Sequence, residues 1–169
     1  MKHILSALVQ NKPGVLAHVA GMFAARAFNI DSLAVGRTED PSLSRITIVV
    51  IGDDRTVEQV RKQLAKIITV VKVQDFAGLD TVSRDLMLIS IACPQDKRPE
   101  VLALIEMFNA KVVDISPRYV MVEVSGPESK IEAFVDSCQP YGIKNMVRTG
   151  TVAMARQNRS TSQDDDSGK

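Results

Sequence analysis

The run Asn11-Lys12-Pro13-Gly14-Val15-Leu16 gathers several ligand-reading groups into one turn. Pro13 cannot donate to a strand and is preset for the first turn of a helix. The N–H groups of Val15 and Leu16 that follow would stand free at the helix start, where the helix dipole favours an anion. Gly14 has no Cβ and lets a ligand approach that backbone closely. A carboxylate suits such a site. Asn11 before the turn and Asn29 further on carry amide oxygens that accept from an ammonium and amide nitrogens that donate to a carboxylate, so together they can read a zwitterion. A purely structural reading stands beside this one: Asn11 caps the helix and Asn29 closes it in a left-handed turn. The residues alone leave both open.

Other chemistries lack their residues. Cys93 and Cys138 fall outside any C-x-x-C spacing, and His3 and His18 are isolated in sequence, so no zinc or other metal site is expected. No nucleophile stands beside a base and no carboxylate pair has a recognisable spacing, so no catalytic residue is expected. Both histidines read as surface residues. Ser44-Arg45 and Asp53-Asp54 read as turn and cap chemistry. An RNA-recognition module stacks bases on strand aromatics, and the strands here offer Ile4, Leu5, Leu8 and Ile46 to Ile51 without one aromatic. Lys plus Arg is 21 against 20 Asp plus Glu, a net charge of +1, so no global field draws nucleic acid or an anionic membrane. No apolar stretch approaches the roughly 18 residues of a membrane span, and no signal peptide is visible, which makes the cytoplasm the expected location.

The elements that must hold the turn are legible in the periodicity. Apolar residues make up 45% of the 169-residue chain and aromatics only 4%, with no Trp, so the core is built from Val, Ile, Leu, Ala and Met. His3 to Gln10 reads as a buried strand; Leu16, Val19, Ala20, Phe23 and Ala27 then follow at helical spacing. Asn29 to Val35 reads as a second strand, Arg37 to Ser44 as a polar connection, and Ile46 to Ile51 as a third strand of strong β character. A second helix follows with Val57, Val60, Leu64, Ile67 and Ile68 inward, then a short strand over Val70 to Val73. This order, β-α-β-β-α-β, is that of a ferredoxin-like module.

The same order recurs after a polar stretch from Gly78 to Ser83. Strands are expected over Leu86 to Ala92, Lys111 to Ile115, Tyr119 to Val124 and Ile143 to Thr149, with helices over Pro99 to Phe108 and Glu128 to Cys138. Pro13-Gly14-Val15-Leu16-Ala17 recurs as Pro99-Glu100-Val101-Leu102-Ala103, Met22-Phe23 as Met107-Phe108, and Asp31 falls opposite Asp114. The fold class is therefore α+β: two ferredoxin-like modules over 1–77 and 84–155, a linker over 78–83, and a tail over 156–169 whose composition suits disorder.

The run Leu8 to Leu16, followed by Phe28-Asn29-Ile30-Asp31-Ser32-Leu33, resembles the ACT domain of amino-acid-regulated enzymes. Thr38-Glu39-Asp40-Pro41-Ser42-Leu43-Ser44-Arg45-Ile46-Thr47-Ile48 narrows this to the regulatory small subunits of acetolactate synthase (acetohydroxyacid synthase), and with the late Arg148-Thr149-Gly150 the resemblance covers residues 2 to 156. It implies a non-catalytic chain that activates an acetolactate synthase catalytic large subunit and confers feedback inhibition by valine or another branched-chain amino acid. Thiamine diphosphate, Mg and FAD would sit on that partner. It further implies a homodimer through the ACT domains. Carried over from the family, the effector would lie between two chains, against Asn11, Gly14, Val15 and Leu16 of one and Asn29 and Ile30 of the other. A free-standing amino-acid sensor acting on another enzyme or transporter shares the same turn. The repeat has Glu100 where the first module has Gly14, a charge that repels a carboxylate, so the second module is expected to be structural or partner-binding.

Overall fold

Alternating inward residues set each sheet and helical stripes cover one face of it. The computed structural model describes residues 1–156, so the tail proposed from composition lies, apart from Arg156, outside the described residues. The first module runs β1 (Lys2–Gln10), α1 (Val15–Ala24), β2 (Ile30–Arg37), β3 (Leu43–Ile51), α2 (Asp54–Leu64) and β4 (Val70–Asp75). Its antiparallel sheet has the order β2-β3-β1-β4. Leu5, Ala7 and Val9 of β1 and Ile46, Ile48 and Val50 of β3 face Val19 and Phe23 of α1 and Val57, Val60 and Leu64 of α2, forming one core.

The second module repeats the plan with β5 (Thr81–Ala92), α3 (Arg98–Met107), β6 (Lys111–Ile115), β7 (Tyr119–Gly126), α4 (Glu128–Cys138) and β8 (Ile143–Arg148), in the order β6-β7-β5-β8. A separate core gathers Met87, Ile89 and Ile91 with Val120, Val122, Ile131 and Phe134. The two modules thus have the topology the periodicity predicts.

Boundaries differ where pairing is long-range. The connection expected over 78–83 ends early, because β5 begins at Thr81 and pairs through Arg84 with an additional strand, β9 (Val152–Ala155). The polar connection after β2 is also shorter, since Leu43 already pairs with Gln10; its turn closes on Asp40, whose Oδ1 accepts from Ser42 N at 2.8 Å and Ser42 Oγ at 2.7 Å. The α2 stripe stops at Leu64, and Ile68, expected inward, is 92% exposed because the chain has left the helix. Asp53 caps α2 by accepting from Thr56 N at 2.8 Å, and hydrogen bonding from the Thr56 side chain, with this backbone bond, holds its carboxyl below the usual range. His3, expected at the surface, is mostly covered, with Nε2 3.7 Å from Asp54 Oδ1.

Cys93 and Cys138 are both buried free thiols in the second core. Desolvation pushes the Cys138 thiol up to about 12, so its nucleophilic thiolate is scarce at neutral pH. We expect a thiol reagent at pH 8 to label neither cysteine in the native chain and both after unfolding; fast native labelling would show that the second core opens readily.

Candidate functional site

Gly14 is the N-cap of α1 and adopts φ +84°, ψ −12°, a left-handed conformation in which L side chains are strained. A Cβ built there meets nothing within 4 Å, so the space in front of the helix start is open. His18 N donates to Gly14 O at 3.0 Å, beginning the helical ladder. Val15 N reaches back to Lys12 O at 3.4 Å, which leaves the Leu16 and Ala17 amides as the open donors of the first turn. The pair of open amides is thus displaced by one residue from the Val15 and Leu16 amides expected. The Val15 side chain lies in the first core, whereas Leu16 is 44% exposed beside the turn.

Asn11 is not a helix cap. Its backbone N donates to Ser42 O at 2.7 Å and its Nδ2 to Pro41 O at 3.0 Å, which fastens the β2–β3 hairpin beside the turn. The amide oxygen and the second amide hydrogen make no hydrogen bond among the described residues. Asn29 is not the left-handed residue that closes α1 either; that residue is Ala27, at φ 53°. Asn29 is exposed and precedes β2, while Ile30 is half-buried against the first core.

The sheet decides which of these residues can share a ligand. Asn11 lies beside Pro41 and Ser42, just before β3 begins at Leu43, whereas Ile30 is registered against Val50 near the other end of the same strand. Leu43 and Val50 lie seven positions apart along β3, about 24 Å at the usual strand rise. Asn11, Gly14, Val15 and Leu16 are brought together; Asn29 and Ile30 are held at the opposite end. One chain therefore holds the expected contact residues in two separate groups.

The second module has no matching opening. By the phase of its buried side chains, Val101 and Ile105 of α3 correspond to Val15 and Val19, so Glu100 occupies the phase of Gly14. Helix α3 starts earlier, at Arg98, and its N-cap Lys97 has φ −97° rather than a left-handed angle. Glu100 is engaged by Lys97 Nζ at 3.3 Å and by the Tyr141 hydroxyl, also at 3.3 Å. The added part-turn and its carboxylate fill the place where the first module has bare amides.

A second polar cluster lies between the modules and escaped the reading of the sequence. Lys2 Nζ bridges Asp31 Oδ2 at 3.0 Å and the Glu128 carboxylate, and these two partners hold its ammonium above the usual lysine range. Asp85, 4% exposed, accepts from Arg148 Nε at 2.9 Å and Thr149 Oγ1 at 3.3 Å, and Arg148 Nη1 reaches Glu132 at 2.7 Å. The only foreshadowing was Arg148-Thr149-Gly150 itself, and Asp85, which pairs with Arg148 and Thr149, lies 63 and 64 positions from them along the chain.

Comparison with known proteins draws these features together. Residues 5–72 match the family described as the AHAS small subunit-like ACT domain, and residues 84–157 the family described as the small subunit of acetolactate synthase. The chain belongs to the acetolactate synthase small subunit family. Along 94% of its length it is 52% identical to the "Probable acetolactate synthase small subunit" of Archaeoglobus fulgidus, covering 99% of that relative. It is 46% identical to the acetolactate synthase small subunit of Aquifex aeolicus over 92% of this chain and 82% of the relative. The crystal structure of the acetolactate synthase small subunit from Thermotoga maritima superposes with a TM-score of 0.86 at 43% identity, covering 94% of this chain and 99% of that one. The small-subunit family thus accounts for both modules. Among the described residues no helix is long and apolar enough to cross a membrane.

Proposed function

We propose that this chain is the regulatory subunit of a cytoplasmic acetolactate synthase: it activates the catalytic large subunit and passes on feedback inhibition by valine or a similar branched-chain amino acid. The observation that carries this reading is the placing of the half-sites at opposite ends of one sheet. Strand β2 is an edge strand of the first sheet. If two copies meet antiparallel along β2 about a two-fold axis, the β2 start of each chain comes beside the β1–α1 turn of the other, so two equivalent seams form. Each seam then holds what an amino acid needs. The Leu16 and Ala17 amides at the helix N-terminus take the carboxylate, the Asn11 and Asn29 amide oxygens take the ammonium, and Leu16 with Ile30 lies against a branched side chain. Val15 contributes by placing the turn from within the core.

Inhibition follows if the inhibited arrangement of the complex binds valine more tightly, by about 1–3 kcal/mol in typical coupled systems. Thiamine diphosphate, magnesium and FAD belong, on this reading, to the catalytic partner, and this chain adds no reacting group.

Thermal unfolding of the chain with valine, leucine, isoleucine and serine tests the reading. A ligand that binds only the native state at 100 times its dissociation constant adds about 2.7 kcal/mol of stability. We expect Tm to rise with a branched-chain amino acid and not with serine, and the rise to vanish in Asn29→Ala. That variant is cleaner than Asn11→Ala, which would also release the hairpin from its Nδ2 bond to Pro41 O. A chain whose Tm responds to none of the four contradicts the effector half of the proposal.

A further inference from the structure

Strand β2 carries two functions on adjacent residues. Asn29 and Ile30 lead into it, and the next three residues, Asp31, Ser32 and Leu33, are where the second module is fastened. Lys2 ties Asp31 to Glu128 at the start of α4. Thr151 N donates to Ser32 Oγ at 2.8 Å. Gly150, at φ +83°, sits so close to β2 that a Cβ there would stand 2.8 Å from Ser32 Oγ and 3.2 Å from the Leu33 carbonyl oxygen. Behind this turn, Arg148 is tied to Asp85 of β5 and Glu132 of α4, so the turn and α4 form one body. Asp31 is also where the β2–β3 ladder shifts register, between Ile30 and Ser32. An irregularity of this kind lets the start of a strand re-aim without breaking the pairs beyond it.

We infer that this joint is the route by which an occupied effector seam is communicated to the second module. The inference rests on the effector reading proposed above. A ligand that draws Asn29 and Ile30 toward the neighbouring chain displaces Asp31. Through Lys2 that displacement acts on Glu128, and through Ser32 and Leu33 on the Gly150 turn. Two contacts on three consecutive residues turn a shift at one strand end into a rotation of the module. The joint touches no group assigned to ligand binding, so binding and response separate when it is broken.

The test uses the full chain, with valine binding followed by calorimetry and inhibition followed after reconstitution with the catalytic subunit. Lys2→Glu places a third negative charge between Asp31 and Glu128; Gly150→Ala forces a Cβ against β2. Both are expected to bind valine within about threefold of the parent and to activate the catalytic subunit, while the half-inhibiting concentration rises about tenfold or more, within the range of ordinary allosteric couplings. Lys2→Glu combined with Glu128→Lys restores opposite charges across the joint and should bring inhibition back. If Gly150→Ala fails to fold, the exposed Lys2 pair still decides the matter. Normal inhibition in the single variants overturns the joint. So does a parallel loss of binding and inhibition, which would make the joint part of the binding scaffold. Absence of valine binding in the parent chain instead overturns the effector reading, and the joint with it.

Discussion

On the proposed reading, Gly14→Asp is expected to leave activation of the catalytic subunit in place while the half-inhibiting valine concentration rises by about 1,000-fold, at tenfold for about every 1.4 kcal/mol. The magnitude follows from charge: two carboxylates about 4 Å apart repel by about 4 kcal/mol at the effective dielectric of a protein surface, more than the coupling such an effector supplies. Nothing within 4 Å of the new Cβ obstructs the side chain, so it enters the open space in front of the helix start and not the core. A non-glycine residue at φ +84° adds strain of about 1–2 kcal/mol, which Asp tolerates better than most residues. Gly14→Asn separates the contributions, because it makes the same backbone demand without the charge and should keep part of the inhibition. Valine titrations of the reconstituted enzyme read both variants. Unchanged inhibition in Gly14→Asp would remove the helix start from the site.

Phe134→Ala is expected to have the largest effect on stability. Phe134 is fully buried and meets Phe108 edge to face, with ring centroids 5.2 Å apart. Truncation of a buried Phe costs about 3–5 kcal/mol. A module of this size holds about 4–11 kcal/mol in total, at about 0.05–0.15 kcal/mol per residue, so the second module should lose about half of its stability and unfold at a markedly lower temperature. The first core shares no residue with the second, and its amides should keep their hydrogen-exchange protection. Loss of protection in both modules together would show instead that the joint at β2 makes the chain one cooperative unit.

The fold was legible where periodicity is local. The inward residues of β1, β3, α1 and α2 repeat at spacings that hardly admit another assignment, and the module order follows from them. Thr81 to Arg84 and Val152 to Ala155 were not legible as strands. Each is a short segment whose only ladder among the described residues is with the other, some 70 positions away, and such pairing leaves no local period. Ile68 was misplaced because its apolar side chain fits the helical count beyond the point where the helix stops. At the candidate site, Pro13 and Gly14 signalled a helix start because proline and glycine have definite backbone preferences. Asn11 showed its place by type but not its bond to the Pro41 carbonyl, which depends on the hairpin beside it. The separation of Asn11 from Ile30 is a property of sheet order, and the Lys2–Asp31–Glu128 bridge of packing between modules; neither is written in the spacing of residues.

The central claim is that each effector site is completed by two chains, and subunit mixing tests it most directly. Gly14→Asp disables the turn half-site and Asn29→Ala the strand half-site, so neither homodimer binds valine. In a heterodimer of the two, one seam joins the intact turn of the Asn29→Ala chain to the intact Asn29 of the Gly14→Asp chain. Co-refolding the two variants in equal amounts and measuring binding by calorimetry should recover one valine site per heterodimer with the parent affinity. If the mixture binds no valine while the parent chain does, the site lies within a single chain and the two-chain seam is wrong.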